Sequence, residues 1–133
     1  MNNCSFSGRL VRDPEYREFK GPDGAPKKVT RFTVAIDRKH KKAGGEWEND
    51  PCFLDFEVWD SAAETVRDRY KKGSFILIAD ASAKTDRWEG PDGKPRSKVT
   101  FRCNRFELLP RLNDRDPEDA RDYHRDEDRV PYA

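Results

Sequence analysis

The sequence is poor in hydrophobic residues and contains no long apolar run. Only 34% of its 133 residues are hydrophobic, whereas 40% are charged, so part of the chain cannot belong to a core. No segment approaches the roughly 20 apolar residues of a membrane-spanning helix, and the N-terminus lacks the basic and then apolar pattern of a signal peptide. We therefore expect a cytoplasmic protein without a membrane partner, built as one compact domain and a solvated tail.

Cysteine and histidine are also scarce. The three cysteines, Cys4, Cys52 and Cys103, are scattered and form no CxxC pair, which argues against a disulfide framework or a zinc site and favours reduced thiols. His40 and His124 have no partners at the spacing of metal ligands. The sequence therefore predicts neither a metal nor another cofactor.

Charge is unevenly distributed, although the formal net charge is only +1. Residues 112–133 carry eight acids and four bases, a net charge of −4, which leaves +5 on residues 1–111. A basic body with an acidic tail is typical of nucleic-acid binders whose tail competes with the ligand or recruits a partner. A solvated terminus without a function explains the same pattern equally well.

The segment from Phe53 to Trp59 predicts a strand with two unlike faces, because successive side chains of a strand point to opposite sides. The face predicted to enter the core carries Leu54, Phe56 and Val58. The other face carries Phe53, Asp55, Glu57 and Trp59. Large rings on a polar sheet face suit a ligand that stacks, and an unpaired nucleobase is the obvious candidate.

The remaining pattern predicts four more strands and one short helix. We expect the strands at residues 4–11, 29–37, 75–79 and 98–109, with a polar flexible arm at about 38–50. Ser61 and Glu64 have the spacing of a helix capping box. The apolar stripe of this helix is Ala63, Val66 and Tyr70. Two similar loops, Gly21 to Lys27 and Gly90 to Arg96, read as hairpin tips.

A helix between the third and fourth of five strands is the connectivity of an OB barrel. We therefore predict an all-β fold, namely a five-stranded antiparallel OB-fold barrel with one short helix between strands 3 and 4. Residues 1–110 would form this domain, and residues 111–133 a charged, net acidic C-terminal tail. A generic α+β sandwich is the alternative that the pattern leaves open.

Several short phrases, in order and at similar spacing, resemble the bacterial single-stranded DNA-binding protein family. They are Gly8 to Leu10, Asp13 to Arg17, Phe32 to Ala35, Phe53 to Trp59, Ala63-Glu64, Tyr70 to Ser74, and Arg87-Trp88 with Gly93 and Arg96. The resemblance implies an OB fold that coats single-stranded DNA in replication, recombination and repair. It also implies assembly with itself, as a homotetramer or, since Asp80 to Ser82 stand where the family usually has a glycine, as a dimer.

The resemblance also assigns the site. The base-stacking rings would be Phe53, Trp59 and Trp88, with His40 at a further stacking position and Trp47 as its possible substitute in the same loop. The basic residues expected to contact phosphates are Arg31, Lys39, Lys41, Lys42, Lys72, Lys84 and Arg87. A tail tip that recruits replication and repair proteins would comprise Asp126, Glu127, Asp128, Val130, Pro131 and Tyr132.

Two other functions compete with a DNA coat. Asp55 and Glu57 share one strand face and could hold the metal of a nuclease, but no catalytic signature accompanies them. An OB-fold adaptor of the primosome type, which mainly binds other replication proteins, would not need Phe53, Trp59 and Trp88 exposed. The sequence therefore favours a protein that is not an enzyme and that binds single-stranded DNA by stacking.

Overall fold

The structure of the protein is a computed structural model that describes residues 1–109. Its elements, in chain order, are β1 (Cys4–Leu10), β2 (Glu15–Lys20), β3 (Pro26–Ile36), β4 (Lys39–Lys41), β5 (Trp47–Asn49), β6 (Cys52–Trp59), α1 (Ser61–Arg69), β7 (Phe75–Glu89) and β8 (Pro95–Leu109). Within the described residues, the single helix is too short and too polar to cross a membrane.

Six strands form one sheet in the order β1-β7-β8-β6-β3-β2. The sheet closes into a barrel because β1 also pairs with β3, through Arg9 opposite Ala35 and Leu10 opposite Val34. This confirms the predicted all-β OB barrel, whose five strands correspond to β1, β3, β6, β7 and β8. The pairing of β6 with β8 is parallel, however, so the barrel is not wholly antiparallel as predicted.

The barrel interior is filled by alternate side chains of the strands, as the period of two requires. Phe56 of β6 is 1% exposed and lies at the centre of an aromatic cluster. Its ring stacks on Phe32 with the centroids 5.6 Å apart, and the rings of Phe6 and Phe101 contact it from β1 and β8. Burial of a side chain of this size contributes about 1.5–3 kcal/mol, so β6 is a central contributor to the core.

Helix α1 packs against this barrel through its predicted apolar stripe. Ala63, Val66 and the following Tyr70 are buried, and the hydroxyl of Thr30 donates to the Ala63 carbonyl at 2.7 Å. The predicted capping box is wrong: the N-cap is Asp60, whose side chain makes no capping hydrogen bond. The reason is that Glu64 extends towards β3, where its carboxylate pairs with Lys28.

Local turns explain the strands that the sequence analysis missed. Both repeated loops are hairpin tips, with Gly24 N–H donating to the Gly21 carbonyl and Gly93 N–H to the Gly90 carbonyl, each at 2.9 Å. The first tip joins β3 to β2, a strand that the sequence analysis did not predict. The predicted flexible arm contains a small hairpin, β4–β5, in which Lys41 pairs with Trp47.

Gly8 of β1 is a position where we expect the fold to tolerate no side chain. A Cβ at Gly8 would lie 2.2 Å from the Ala35 carbonyl oxygen and 2.7 Å from Val34 Cγ1, so Gly8→Ala forces β1 away from β3. We expect the variant to lower the free energy of unfolding by about 1–3 kcal/mol, measured by urea denaturation. Gly44→Ala, where nothing lies within 4 Å, is the matched control. Equal stability of the two variants would contradict the close approach of β1 and β3.

Candidate nucleic-acid interface

Three large aromatic side chains of the predicted site are exposed to solvent. Phe53 is 61% exposed, Trp47 48% and Trp88 45%, while Trp59 is half-buried. Phe53 and Trp59 lie on the same face of β6 and are six residues apart, a distance of about 20 Å along a strand. Trp88 lies near the tip of the β7–β8 hairpin and Trp47 in the β4–β5 hairpin. The rings are therefore presented by three different elements.

Trp59 is held in a defined orientation. Its indole N–H donates to Glu57 Oε1 at 3.1 Å. The ring of Phe19 meets it edge-on, with centroids 5.9 Å apart and planes at 75°, and the guanidinium of Arg102 lies 5.8 Å from its centroid. A ring fixed in this way loses little side-chain entropy when a ligand stacks on it.

Glu57 is the most buried acid of the site. It is 3% exposed, and Lys84 Nζ lies 2.8 Å from its Oε1 and 3.1 Å from Asp86 Oδ1. Burial alone would lower the pKa of Lys84, but its hydrogen bonds to Glu57 and Asp86 outweigh this and raise the pKa above its usual value. Lys84 is therefore a charged link between two acids, although its side chain stays partly exposed.

Asp55 occupies the next position on the same face of β6. It accepts hydrogen bonds from Thr33 Oγ1 at 2.6 Å and from Lys98 Nζ at 2.9 Å. Partial burial pushes the pKa of Asp55 up, but these two hydrogen bonds and the positive charges of Lys98 and Arg12 lower it below the usual value overall. The acids Asp55 and Glu57 thus link β6 to side chains of the neighbouring strands.

These charges surround a groove of about 220 Å³ beside β6. Its charged and hydroxyl-bearing lining residues are Arg12, Glu15, Arg31, Thr33, Asp55, Glu57, Asp86, Lys98 and Thr100. Within residues 1–109, no three or more His, Cys, Asp or Glu side chains are arranged to hold a metal ion. The groove thus contains arginine and lysine side chains, some of which already form ion pairs with its acidic side chains.

The predicted phosphate-contacting residues fall into three places. Arg31 lines the groove, Lys84 lies in its ion pairs and Arg87 is next to Trp88 on β7. Lys39, Lys41 and Lys42 belong to the β4–β5 hairpin or its turn. Lys72 lies between α1 and β7, where its backbone N–H donates to Asp13 Oδ1 at 2.8 Å. The structure therefore places Arg31 and Lys84 beside the outer face of β6, and Lys72 elsewhere.

His40 has a different environment from the exposed rings. Its Nε2 lies 3.1 Å from Glu48 Oε2 across the β4–β5 hairpin, and Lys42 Nζ lies 3.9 Å from the same carboxylate. Trp47 lies on the other strand of this hairpin and is about half exposed. It is therefore the larger of the two rings that the hairpin exposes. Whether either ring stacks on a base stays a prediction.

Sequence reasoning missed Phe19 and Arg102, which flank Trp59, and Arg12 and Lys98, which line the groove. Phe19 lies two residues before Gly21, the start of the first hairpin tip, in a segment for which the sequence analysis predicted no strand. Phe19 and Arg17 are two residues apart and would share one face of a strand. This spacing could have predicted β2 with the Phe19 ring on its outer face. The contact of Arg102 with Trp59 depends on the parallel β6–β8 pairing, in which Glu57 lies opposite Arg102, and no local pattern indicates it.

The thiols take no part in this surface. All three cysteines are free, and Cys103 is buried in the core. Burial, with a smaller effect of the negative charge of Glu57, raises the pKa of Cys103 to about 12. Cys103 is therefore an inert core residue at neutral pH.

The lowered pKa of Asp55 predicts a pH-dependent contribution to stability. A carboxyl whose pKa is lower in the folded state stabilises the fold above its unfolded value of about 3.9, and this stabilisation is lost as the pH falls through the folded pKa. We expect Asp55→Asn to be less stable than the natural protein at neutral pH, with a difference that shrinks below about pH 4. Urea denaturation across this range measures it.

Thr33→Val provides the control, because it removes one donor to Asp55 and keeps the carboxyl. The pKa of Asp55 in this variant, followed by NMR, should lie closer to its usual value. A stability difference for Asp55→Asn that does not change with pH would contradict the assignment.

Comparison with known proteins places the chain in a family. Residues 1–109 match the model of the single-strand binding protein family. Single-stranded DNA-binding protein 1 of Synechocystis is 36% identical over 110 residues, which cover 82% of this chain and 84% of that protein. The single-stranded DNA-binding protein of Aquifex aeolicus is 30% identical over 131 residues, which cover 98% and 82%.

A solved structure agrees on the fold. The crystal structure of a deletion mutant of the single-stranded DNA binding protein from Thermus aquaticus superposes with a TM-score of 0.67 at 21% identity. The match covers 83% of this chain and about half, 51%, of that chain. The fold, the matched family model and the two relatives lead to one conclusion: the chain belongs to the single-strand binding protein family.

Proposed function

We propose that the protein binds and protects single-stranded DNA without sequence specificity during DNA replication, recombination and repair. The observation that carries this proposal is the set of exposed rings on three elements, Trp47, Phe53 and Trp88, together with the oriented Trp59 on the same strand as Phe53. Each base stacked on an aromatic side chain contributes about 1–3 kcal/mol, and every base has a face that can stack. Several such contacts give tight binding that ignores sequence.

The cations of the groove support the same function in a limited way. Arg12 and Arg31 of the groove are exposed and available to phosphates, as is the exposed Arg87 outside it, whereas Lys84 and Lys98 are held by acids. A phosphate must compete with Glu57, Asp86 or Asp55 for these two lysines. We therefore expect stacking to supply a large share of the affinity, with a salt dependence that reflects the free cations.

The rings also count against the competing functions. Within the described residues, no acidic cluster is arranged for a metal, which leaves the nuclease hypothesis without support. A primosome-type adaptor has no need of rings exposed in this way. We propose that the protein is not an enzyme and acts in the cytoplasm.

Titration with oligo-dT tests the DNA-binding proposal. We expect quenching of tryptophan fluorescence on binding and weaker binding as salt is raised. Phe53→Ala keeps all three tryptophans and removes the most exposed ring, so its dissociation constant should rise about 5- to 100-fold.

Leu77→Ala serves as the control once sedimentation equilibrium gives it the same mass as the natural protein, because Leu77 is also exposed but lies opposite Ser7 in the part of β7 that pairs with β1. Its affinity should equal that of the natural protein. Unchanged fluorescence at saturating oligo-dT, or full affinity of Phe53→Ala, would argue against a stacking surface.

We further propose that the protein assembles with itself as a homotetramer. Residues 4–8 of β1 pair with β7 on one side only, and an unpaired strand edge is a template for pairing with another chain. Sedimentation equilibrium should give four times the mass of the 15.5 kDa chain. A mass equal to two chains would replace the tetramer by a dimer, and a monomer would exclude self-assembly.

Residues 1–110 are proposed as the DNA-binding domain and residues 111–133 as the acidic tail. The tail tip, Asp126 to Tyr132, lies outside the described residues, as does the whole tail. Recruitment of replication and repair proteins by this tip stays a prediction.

A further inference from the structure

A second cavity lies on the far side of Trp59 from the core, next to the first hairpin tip. Its volume is about 300 Å³. Its lining residues are Phe19, Gly21, Pro22, Lys27, Trp59, Asp60 and Arg102. We refer to it as the Phe19–Trp59 pocket.

Two rings give the pocket walls suited to a flat aromatic ligand. Phe19 is 43% exposed and meets Trp59 edge-on at 5.9 Å. Because the Trp59 indole is tethered to Glu57, the angle between the two rings is set before a ligand arrives. A base that stacks on one ring would meet the edge or face of the other.

Arg102 supplies hydrogen-bond donors to the same pocket. Among residues 1–109, no carboxylate forms an ion pair with its guanidinium, whose contact is with the Trp59 ring at 5.8 Å. Arginine presents a planar fork of donors that pairs with two adjacent acceptors. The Hoogsteen edge of guanine, with O6 and N7, is the base edge that fits this fork best.

Asp60 supplies an acceptor and has an unusual conformation. Its φ is 58°, a backbone conformation that residues other than glycine rarely adopt. It stands at the N-cap of α1, but its side chain does not cap the helix. No ion pair or side-chain hydrogen bond engages its carboxylate within residues 1–109. A strained residue whose side chain does no structural work is a candidate for binding.

A carboxylate beside the path of a polyanion opposes binding unless it accepts hydrogen bonds from the ligand. Among the bases, guanine alone offers two adjacent N–H donors, N1–H and N2–H, to the two oxygens of a carboxylate. Guanine alone also offers the paired acceptors O6 and N7 to an arginine. Asp60 and Arg102 are thus complementary to the same base.

We propose that the Phe19–Trp59 pocket binds a single guanine base, stacked on Trp59 with its edge against Phe19, with Arg102 donating to O6 and N7 and Asp60 accepting from N1–H and N2–H. This inference rests on the proposed binding of single-stranded DNA. It adds a preference at one position of a surface that is otherwise indifferent to sequence.

Competition between oligonucleotides tests the pocket. The probes are oligo-dT and the same oligo-dT with isolated thymines replaced by guanine, by adenine, by 7-deazaguanine, which lacks N7, or by hypoxanthine, which lacks the N2 amino group. Guanines are never adjacent, which avoids quadruplexes. We expect the guanine oligonucleotide to bind at least about fivefold more tightly than oligo-dT, and the three other replacements to lose most of this advantage.

Variants connect the preference to the two polar residues. Asp60→Asn should bind oligo-dT equally or more tightly but lose discrimination between guanine and hypoxanthine. Arg102→Met should lose discrimination between guanine and 7-deazaguanine. Arg105→Met, on the same strand but outside the pocket, should keep the preference. Phe19→Leu should weaken the binding of the guanine oligonucleotide, and Phe19→Tyr should restore it.

The outcomes separate this inference from the proposed function. Tight and equal binding of oligo-dT and the guanine oligonucleotide by the natural protein overturns the pocket and leaves the DNA coat in place. A preference for guanine that survives in both Asp60→Asn and Arg102→Met also overturns it. Failure to bind either oligonucleotide overturns the proposed function and the pocket together.

Discussion

The carboxylate of Glu57 is the constraint on which the candidate surface depends. It is almost fully buried on the face of β6 that points away from the core, and it joins the indole N–H of Trp59 to the ammonium of Lys84 on β7. Lys84 continues the link to Asp86, which accepts a hydrogen bond from Thr100 of β8. A buried charge is costly unless it is paired and hydrogen-bonded, and here one acid satisfies two donors from different positions. The orientation of Trp59 and the position of the β7–β8 hairpin are thereby coupled. The Trp59 ring on β6 and the wall of the groove on β7 and β8 form one hydrogen-bonded unit.

The charges around this unit are largely balanced before any ligand arrives. Asp55 holds Lys98, and Glu57 and Asp86 hold Lys84, so the groove is not a simple positive track. In the proposed DNA complex, affinity would then come from the exposed Arg12 and Arg31 and from rings whose stacking does not depend on charge. A lysine that already pairs with a carboxylate must give up this ion pair to bind a phosphate. It therefore gains less electrostatic free energy from the phosphate than an unpaired lysine would. For the proposed DNA-binding surface, this balance of charges favours contacts to bases over contacts to phosphates.

The core was predictable from the sequence to a larger extent than the site. Alternation located β6 and its buried residues Phe56 and Val58 correctly, and the stripe Ala63, Val66 and Tyr70 predicted the helix. The same alternation placed Glu57 on the outer face but could not show that Lys84 would bury it, because that contact joins residues 27 positions apart. The contacts of Trp59 with Phe19 and Arg102 likewise arise from pairing between distant strands. The prediction of the capping box was wrong for a local reason. Glu64 pairs with Lys28 of β3, and Asp60 adopts a backbone conformation that sequence spacing does not reveal.

The parallel pairing of β6 with β8 also has a consequence for the order in which the molecule is made. Phe101 and Cys103, which complete the core, lie on β8, the last strand of residues 1–109, and β8 is the neighbour of both β6 and β7. Until this strand leaves the ribosome, β3 and β6 can pair, but the barrel cannot close and β6 keeps an open edge. Contacts between residues far apart in the chain make such closure slow, and open edges attract other nascent chains. The growing polypeptide therefore passes through its most association-prone state shortly before synthesis of the barrel is finished.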